Sequence, residues 1–328
     1  MKKVLIAPVL SDPQYDSEQR QTSLVGLAKL ATVEGYSQTE FTADHGRDVV
    51  AVIANSALFT REFYEAAEDL RIVARWGVGY DQVNLEIATE LGIVICVAPV
   101  HMATVAEYAI TQWLATLKRV YTLNQMAHSG DHALVRTYDA EGSTLGIYGL
   151  GRIGQHAAQR ARPLLGDSGR LLVYDTRPDV AELAAELGAE AVDDPMTLFR
   201  ESDAVSLHVS GDDTIVTYEQ LCAMKPHASL INPSRGNLVN DADVNRAIKE
   251  ERLFYYVVDD PTDGTREIHR GHPRIISTNH NAGISAESVA RLDSMNAHQV
   301  ALVLQGQKPP HILNEAVLAH PRVATWLQ

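Results

Sequence analysis

Short apolar runs that alternate with helix-length amphipathic segments are the feature that most constrains the fold of this chain. In the second half of the chain, each run is followed directly by Gly, Pro, Asp, Asn or Ser. Such runs predict buried strands, and helices between consecutive strands are typical of parallel sheets. The predicted strands are residues 4–7, 49–54, 72–75 and 93–97, then 145–148, 170–174, 203–209, 229–232, 254–258 and 275–278. An α/β fold built on parallel sheets follows.

The segments between these strands predict several helices and a division into two domains. With 328 residues, the chain is long enough for two domains of ordinary size. The predicted helices cover residues 18–34, 61–70, 84–91, one continuous helix over 103–121, and a final helix over 286–304, with a polar stretch at 128–143. We expect the tail after the final helix to pack back on the N-terminal domain. Ligands of open α/β sheets bind beyond the carboxyl ends of the strands, where functional residues are therefore expected.

The charge balance argues against two classes of partner. Lys and Arg number 28 against 42 Asp and Glu, a net charge of −14. An acidic surface repels nucleic acid and anionic membranes, although a local basic pocket can still hold a small anion. Cys96 and Cys222 lie far apart, so no metal site is expected, and they fit a reducing compartment. Pro8 interrupts the apolar N-terminus, and no apolar run approaches the roughly 18 residues of a membrane span, so we expect a cytoplasmic protein.

A glycine-rich loop follows the predicted strand at 145–148. Gly149, Gly151 and Gly154 fit the pattern G-x-G-x-x-G, with Arg152 and Ile153 between the last two glycines. The first glycine permits a tight turn, the second lets the backbone approach a diphosphate, and the third allows close packing of helix and strand. The helix that begins here supplies amide donors and partial positive charge. The strand–loop–helix context predicts a dinucleotide-binding site.

An acidic residue at the end of the next strand indicates which dinucleotide binds. Asp175 lies 21 residues after Gly154. Its carboxylate would accept hydrogen bonds from the adenosine ribose hydroxyls and repel a 2′-phosphate, which favours NAD over NADP. Arg177, two residues later, carries a charge that would weaken this preference.

Several motifs in order along the chain resemble those of the D-isomer-specific 2-hydroxyacid dehydrogenase family. They are Arg-Trp-Gly-Val-Gly-Tyr-Asp at 75–81, Val-Ala-Glu at 105–107, the glycine loop, Ser-Leu-His-Val at 206–209, Asn-Pro-Ser-Arg-Gly at 232–236 and His-Asn-Ala-Gly at 280–283. The resemblance implies two doubly wound parallel-sheet domains. They are a flavodoxin-like substrate domain (residues 1–100 and 286–328) and a Rossmann NAD-binding domain (residues 101–285). It also implies hydride transfer between NAD and a small D-2-hydroxy acid, with reduction of the 2-oxo acid favoured.

The resemblance assigns the chemistry to two residues that follow strands. Arg235 comes just after the strand at 229–232, where its guanidinium would hold the carboxylate and carbonyl oxygens of a 2-oxo acid in a fixed fork. His280 comes just after the strand at 275–278 and would donate a proton during reduction and accept one during oxidation.

Further contacts are assigned to the substrate and the cofactor. The backbone at Val78 and Gly79 would bind the substrate anion, although a plain strand-end turn remains an alternative. The resemblance places His208 beside the cofactor and Asp259 near the nicotinamide carboxamide. Thr104 is expected either to contact the cofactor or to cap a helix.

One position departs from the family pattern. Family members place a glutamate, sometimes a glutamine, five residues after the aspartate equivalent to Asp259, where it pairs with the catalytic histidine. This chain has Gly264 at that position. The partner matters because it fixes the tautomer of the imidazole. Asp260 and Asp263 are the candidate replacements, and we predict Asp260.

Alternatives to a 2-oxo acid reductase remain open at this stage. The missing glutamate gives weight to an NADH-sensing scaffold similar to the family's corepressors, and other members oxidise formate or phosphite. His101 and Arg75 are candidates to hold a second anionic group of the substrate, or they are ordinary surface residues. The resemblance also implies a homodimer formed through the NAD-binding domain, with residues 105–136 as the contact segment.

Overall fold

The computed structural model describes residues 2–211 and 213–327, without the side chain of Tyr15. Their contacts divide them into two compact units. Unit 1 runs to His101 and resumes at Ile284, and unit 2 is Met102–Gly283. The strands are β1 Lys3–Ile6, β2 Thr32–Gly35, β3 Glu40–Phe41, β4 Val49–Ala54, β5 Leu58–Phe59, β6 Ile72–Arg75, β7 Val94–Val97, β8 Thr144–Tyr148, β9 Arg170–Tyr174, β10 Glu190–Ala191, β11 Ala204–Leu207, β12 Ser229–Asn232, β13 Tyr255–Val258 and β14 Ile275–Ser277.

Helices connect nearly all of these strands. They are α1 Pro8–Ser11, α2 Glu18–Ala28, α3 Arg61–Ala66, α4 Leu85–Glu90, α5 Met102–Leu117, α6 Val120–His128, α7 Arg152–Leu165, α8 Val180–Glu186, α9 Pro195–Glu201, α10 Tyr218–Ala223, α11 Asp241–Lys249, α12 Ala286–Leu304 and α13 Pro321–Ala324. Short 3₁₀ turns cover Pro13–Tyr15, Ala43–His45, Gly236–Leu238, Gly264–His269 and Glu315–Ala319. The final helix has the bounds that the sequence predicts.

Unit 1 is built on a five-stranded parallel sheet in the order β2-β1-β4-β6-β7. Strand order therefore reverses once, between β1 and β4, as in the flavodoxin-like arrangement. Every residue of β4, β6 and β7 is buried. Near-continuous apolar strands of this kind are expected where helices cover both faces of a parallel sheet.

The C-terminal segment completes unit 1. The Leu313 amide donates to the carbonyl of Ile95 in β7. The Asn314 side chain accepts from the Ile95 amide at 2.9 Å and donates to the Ile93 carbonyl at 2.9 Å. These bonds satisfy the exposed edge of β7, and they confirm that the tail packs back on the N-terminal part of the chain.

Unit 2 is built on a seven-stranded parallel sheet in the order β10-β9-β8-β11-β12-β13-β14. This order is the Rossmann arrangement with one added strand, and its reversal lies between β8 and β11. Alternate residues of β13 face opposite sides, as strand geometry requires. Val257 packs with residues of α5 and α7, and Tyr256 and Val258 pack with residues of α9 and α11. The sheet is thus covered on both faces, and the predicted fold class is confirmed.

Two predicted helices and one predicted strand end earlier in the structure than the sequence predicts. The helix predicted over 18–34 ends at Ala28, and Thr32–Gly35 forms the edge strand β2 beside β1. The β-branched Thr32 and Val33 favour this extended pairing over another helical turn. The helix predicted over 61–70 ends at Ala66, and the strand predicted over 203–209 ends at Leu207.

The helix predicted as continuous over 103–121 is broken in the structure. Arg119 adopts a left-handed backbone conformation with φ of 49°, between α5 and α6. Its guanidinium carbon lies 3.3 Å from the centroid of the Phe254 ring. The Leu117 carbonyl, near the end of α5, accepts a hydrogen bond from the Tyr138 amide. Because both contacts are made with distant parts of the chain, helical periodicity cannot reveal the break.

Candidate active site

The glycine loop connects β8 to α7, and two of its glycines are required by the fold itself. Gly149 has φ of 97°, and a Cβ atom there would lie 2.6 Å from the His208 carbonyl oxygen. A Cβ atom on Gly154 would lie 2.0 Å from the Gly149 carbonyl oxygen. The first turn of α7 therefore packs against the loop at a distance that only glycine permits.

Gly151 is different, because the protein itself does not need a glycine there. It precedes α7 with an ordinary φ of −68°, and a Cβ atom on it would meet no atom within 4 Å. Its side of the helix N-terminus, with the amides of Arg152 and Ile153, has no side-chain cap. Open space in front of uncapped amides suits the diphosphate of a dinucleotide.

Asp175 directly follows β9 and forms a hydrogen bond with the glycine loop. Its Oδ2 accepts from the Leu150 amide at 2.6 Å, and its Oδ1 accepts from the Arg177 amide at 2.9 Å. The Arg177 guanidinium donates to both carboxylate oxygens of Asp179, at 2.5 and 2.9 Å. The Asp175 carboxylate is therefore oriented by two backbone donors, while the charge of Arg177 is engaged by a neighbouring carboxylate.

His208 follows β11, the strand on the far side of the reversal in strand order. Its Nε2 lies 2.9 Å from the Ser206 hydroxyl. Burial lowers the pKa of His208 to about 4, so the ring is neutral at physiological pH. Its Nδ1 is buried without a hydrogen-bond partner among the described residues. His208, whose carbonyl oxygen lies beside Gly149, therefore carries a neutral ring with one unsatisfied nitrogen.

Asp259 lies in the same part of unit 2 and fastens the turn that carries His280. Its Oδ1 accepts from the Asn281 amide at 2.7 Å and from the Thr278 hydroxyl at 2.5 Å. Its Oδ2 accepts from the Ala282 amide at 2.6 Å. The resemblance implies that this carboxylate lies near the nicotinamide. Its role in holding the His280 turn is visible only in the folded chain.

Asp260 joins the two turns that carry Arg235 and His280. Its Oδ1 lies 3.1 Å from Nδ1 of His280, and its Oδ2 accepts from the Gly236 amide at 2.6 Å. Asp263 instead contacts Arg266, at 3.4 Å. The structure thus brings Asp260, and not Asp263, to the histidine.

The protonation of this pair follows from its surroundings. Burial by itself would raise the pKa of Asp260, but the hydrogen bonds from His280 and the Gly236 amide, with the nearby positive charges, hold that pKa below its ordinary value. Since an ionised carboxylate only accepts, the proton of a neutral His280 belongs on Nδ1. The His280 side chain is 56% exposed, so its Nε2 side is open to a substrate.

Arg235 extends from the end of β12 in an extended conformation. Its Nη1 donates to the Ser234 carbonyl at 2.8 Å, and its own carbonyl accepts from the Asn232 side chain at 2.7 Å. The turn is thereby held by Asn232, which is 1% exposed, and by Asp260 through the Gly236 amide. Asn232 and Ser234 were not predicted as site residues, although they belong to the motif quoted for Arg235.

The predicted substrate loop, with Val78 and Gly79, lies in unit 1. Arg75 donates from Nε to the Gly79 carbonyl at 3.0 Å and from Nη2 to Gln82 at 2.8 Å. Arg75 is 6% exposed, and its buried side chain holds the loop through these two hydrogen bonds. His101 lies beside the same loop, with Cε1 3.7 Å from the position of a Cβ atom on Gly77.

Thr104 lies in the first turn of α5, which begins at Met102. The alternative interpretation of Thr104 as the residue that caps this helix is therefore wrong, because the helix has already begun.

Among residues 2–211 and 213–327, no group of His, Cys, Asp or Glu side chains could hold a metal ion. In the same residues, no helix combines the length and apolar character needed to span a membrane.

Comparisons with known proteins indicate the family of the chain. A family model described as D-isomer specific 2-hydroxyacid dehydrogenase, NAD binding domain, matches residues 110–282. The glyoxylate reductase of Korarchaeum cryptofilum is 34% identical over 277 residues, which cover 78% of this chain and 80% of that protein. The D-3-phosphoglycerate dehydrogenase of Methanocaldococcus jannaschii is 28% identical over 326 residues, and the chain spans 60% of its length.

A solved structure gives the same fold. The D-lactate dehydrogenase of Escherichia coli superimposes with a TM-score of 0.78 at 24% identity, over 95% of this chain and 99% of that one. The resemblance noted from the motifs, and the expectation of an NAD-dependent enzyme, are confirmed by the family match and the named relatives. The chain belongs to the D-isomer specific 2-hydroxyacid dehydrogenase family, and its cofactor is NAD.

Proposed function

We propose that this enzyme reduces a small 2-oxo acid to the D-2-hydroxy acid, with Arg235 binding the carboxylate and His280 delivering the proton. The observation that carries the proposal is the Asp260 carboxylate, which bonds both the Arg235 turn and His280. One carboxylate thereby fixes the anion-binding group relative to the proton donor. NAD, when bound in its reduced form, supplies the hydride.

Arg235 provides the anion-binding part of the site. A guanidinium is permanently charged and presents its donors in a planar fork that matches a carboxylate. With one nitrogen held by the Ser234 carbonyl, the side chain is oriented before the substrate arrives. Fixing the substrate in this way lowers the entropic part of the barrier.

His280 provides the proton. With its Nδ1 hydrogen directed at Asp260, protonation at Nε2 gives an imidazolium whose acidic proton is presented away from the carboxylate. That proton passes to the carbonyl oxygen of the 2-oxo acid as the carbon receives the hydride. In the reverse direction, the same nitrogen accepts the hydroxyl proton.

The remaining predicted contacts keep their assigned roles as part of this proposal. Gly149, Gly151, Gly154 and the amides of Arg152 and Ile153 would hold the diphosphate of NAD. Asp175 would bind the adenosine ribose, and the other cofactor contacts along the dinucleotide would be made by Thr104, His208 and Asp259. The backbone at Val78 and Gly79 would bind the substrate. A homodimer through unit 2 and a cytoplasmic location stay predictions.

The names of the relatives favour small substrates. Several are named glyoxylate reductase, and one from Thermotoga maritima is named hydroxypyruvate reductase. We therefore place glyoxylate and hydroxypyruvate first among the candidate substrates. The relatives are named as enzymes, and the pair of Asp260 and His280 is complete, so the NADH-sensing scaffold is not favoured.

The test is oxidation of NADH across a panel of glyoxylate, hydroxypyruvate, pyruvate, phenylpyruvate, oxaloacetate, sulfopyruvate and phosphonopyruvate. We expect turnover of the smallest acids, lowered on the order of 10²-fold or more by Arg235→Ala, because the substrate loses its fixed orientation. Arg252→Ala, which removes an exposed arginine of the same unit, is the matched control and keeps full activity. Tight NADH binding with no turnover of any acid would contradict the proposal.

A further inference from the structure

We propose that Arg266 is a positioning residue that holds Asp260 in place between Arg235 and His280. The proposal rests on the function proposed above and concerns a residue that no motif of the chain assigns. Arg266 lies in the 3₁₀ turn Gly264–His269, the segment that stands where the family pattern would place a glutamate. Its side chain is 18% exposed, although arginine usually extends into solvent.

The guanidinium of Arg266 is folded back over the segment that contains Asp260. Its Nε donates to the Pro261 carbonyl at 3.0 Å, and its Nη2 lies 3.4 Å from Asp263 Oδ1 and 3.9 Å from Asp260 Oδ2. The arginine therefore links the carboxylate of Asp260 to the backbone that immediately follows it.

The same guanidinium lies directly against the Arg235 turn. A Cβ atom on Gly236 would be 2.3 Å from Nη1 of Arg266 and 2.8 Å from Oδ2 of Asp260. The two charged groups thus close over the backbone of Gly236, where a side chain would push them apart. Since Gly236 also donates to Asp260, the positions of all three groups depend on one another.

Buried contacts behind the turn fix the place of Arg266. Asp241 accepts from the Thr265 hydroxyl at 2.5 Å and lies 2.9 Å from Nε2 of His269, which is 2% exposed. Asn245 contacts the other nitrogen of the His269 ring at 2.8 Å. Arg266 is therefore presented from a turn that is anchored on both sides of it, independently of Asp260.

Arg266 supplies the permanent positive charge near Asp260. The other titratable groups that face this carboxylate are His280, from the loop after β14, and the buried hydroxyl of Tyr256, from β13. Without the arginine, the hydrogen bonds that Asp260 keeps within the described part of the chain are those of His280 and the Gly236 amide. We expect the carboxylate then to rotate, so that it no longer fixes one tautomer of His280.

Two substitutions and one control test this role. Arg266→Gln removes the charge, Arg266→Lys keeps it without the fork, and Arg270→Gln changes the exposed arginine that directly follows the turn. We expect R266Q to lower kcat about tenfold with the Kd for NADH unchanged, R266K to lie between R266Q and the wild type, and R270Q to match the wild type. The low-pH limb of the kcat profile of R266Q should move to higher pH, because the pKa of Asp260 rises when the nearby cation is lost.

A measurement that needs no turnover separates this proposal from the proposed function. The ¹⁵N spectrum of His280, assigned with His280→Gln, should show one tautomer with the proton on Nδ1 in the wild type and a mixture in R266Q. An unchanged tautomer and pH limb in R266Q, or equal losses in R266Q and R270Q, would overturn the role of Arg266. Absence of turnover in the wild type would instead refute the proposed function, and the tautomer comparison would still decide the role of Arg266.

Discussion

The segments that follow the first strand of each parallel sheet differ in every respect that matters for holding a diphosphate. After β8, a loop with glycines at 149, 151 and 154 leads into the 14-residue helix α7. After β1, Ala7 leads directly into the four-residue helix α1, which begins at Pro8. Proline has no amide hydrogen, and such a short helix presents few aligned dipoles. The two sheets therefore offer the same topological position with different chemistry.

Polar groups beside the reversal in strand order are also satisfied differently in the two units. In unit 1, the Asn55 amide after β4 faces the Tyr36 hydroxyl, at 3.4 Å. In unit 2, the space in front of Gly151 is open, and His208 after β11 keeps a buried nitrogen without a partner among the described residues. Topology allows a ligand at both positions, and the residues of the loop decide which one binds it.

The largest expected effect comes from closing the glycine loop of unit 2. Gly154→Ala would place a methyl group 2.0 Å from the Gly149 carbonyl oxygen, so loop and helix must move apart. We expect a loss of about 1–3 kcal/mol in the free energy of unfolding and a fall of roughly 100-fold in NADH affinity. Chemical denaturation and fluorescence titration with NADH measure the two effects.

The matched control for this substitution lies in α2 of unit 1. A Cβ atom on Gly26 meets no atom within 4 Å, so Gly26→Ala should stabilise the protein by roughly 0.5–1 kcal/mol through helix propensity. NADH affinity should stay as in the wild type. If Gly154→Ala also bound NADH normally, the close packing of loop and helix would not be needed for the site.

A smaller effect is expected at Gly151, where a substitution should lower NADH affinity without changing stability. Because Gly151→Ala introduces no contact within 4 Å and its φ suits any residue, stability should not change. NADH affinity should fall about tenfold, since the methyl group would occupy the space that the diphosphate fills when it binds. Pro8→Ala in unit 1, which restores an amide at the start of α1, should leave NADH affinity unchanged. An unaltered affinity in Gly151→Ala would place the diphosphate elsewhere.

The contrast between the two loops shows which features the sequence reveals. The glycine loop is recognisable because its residues are contiguous and each serves a local purpose. The sequence limits the partner of His280 to two candidates, Asp260 and Asp263. The choice between them depends on the path of the 3₁₀ turn at 264–269. Arg266 and the break at Arg119 left no local signal, because the contacts that define them join distant parts of the chain. The edge strand β2 was missed because helical periodicity continued past Ala28.

The smallest expected effect compares one buried tryptophan in each unit. Trp76 of unit 1 donates from its indole nitrogen to Asp293 at 2.7 Å, and Asp293 also bonds Arg20 at 2.7 Å. Trp113 of unit 2 is fully buried, and its indole nitrogen has no partner among the described residues. Replacing each with phenylalanine removes similar ring volume, but only Trp76→Phe removes a hydrogen bond to a carboxylate.

The pH dependence of the two losses isolates that bond. Burial raises the pKa of Asp293, and the bonds from Arg20 and Trp76 partly offset this by favouring the ionised form. Because the raised pKa lets this carboxyl take up its proton at a higher pH than an ordinary aspartate does, Trp76→Phe should cost about 1 kcal/mol more at pH 7 than at pH 4, as measured by denaturant unfolding. The loss in Trp113→Phe should be the same at both pH values, and NADH affinity should be unchanged in Trp76→Phe. Equal pH dependence in the two variants would show that the indole bond does not stabilise the charge of Asp293 and that the bond from Arg20 offsets its burial instead.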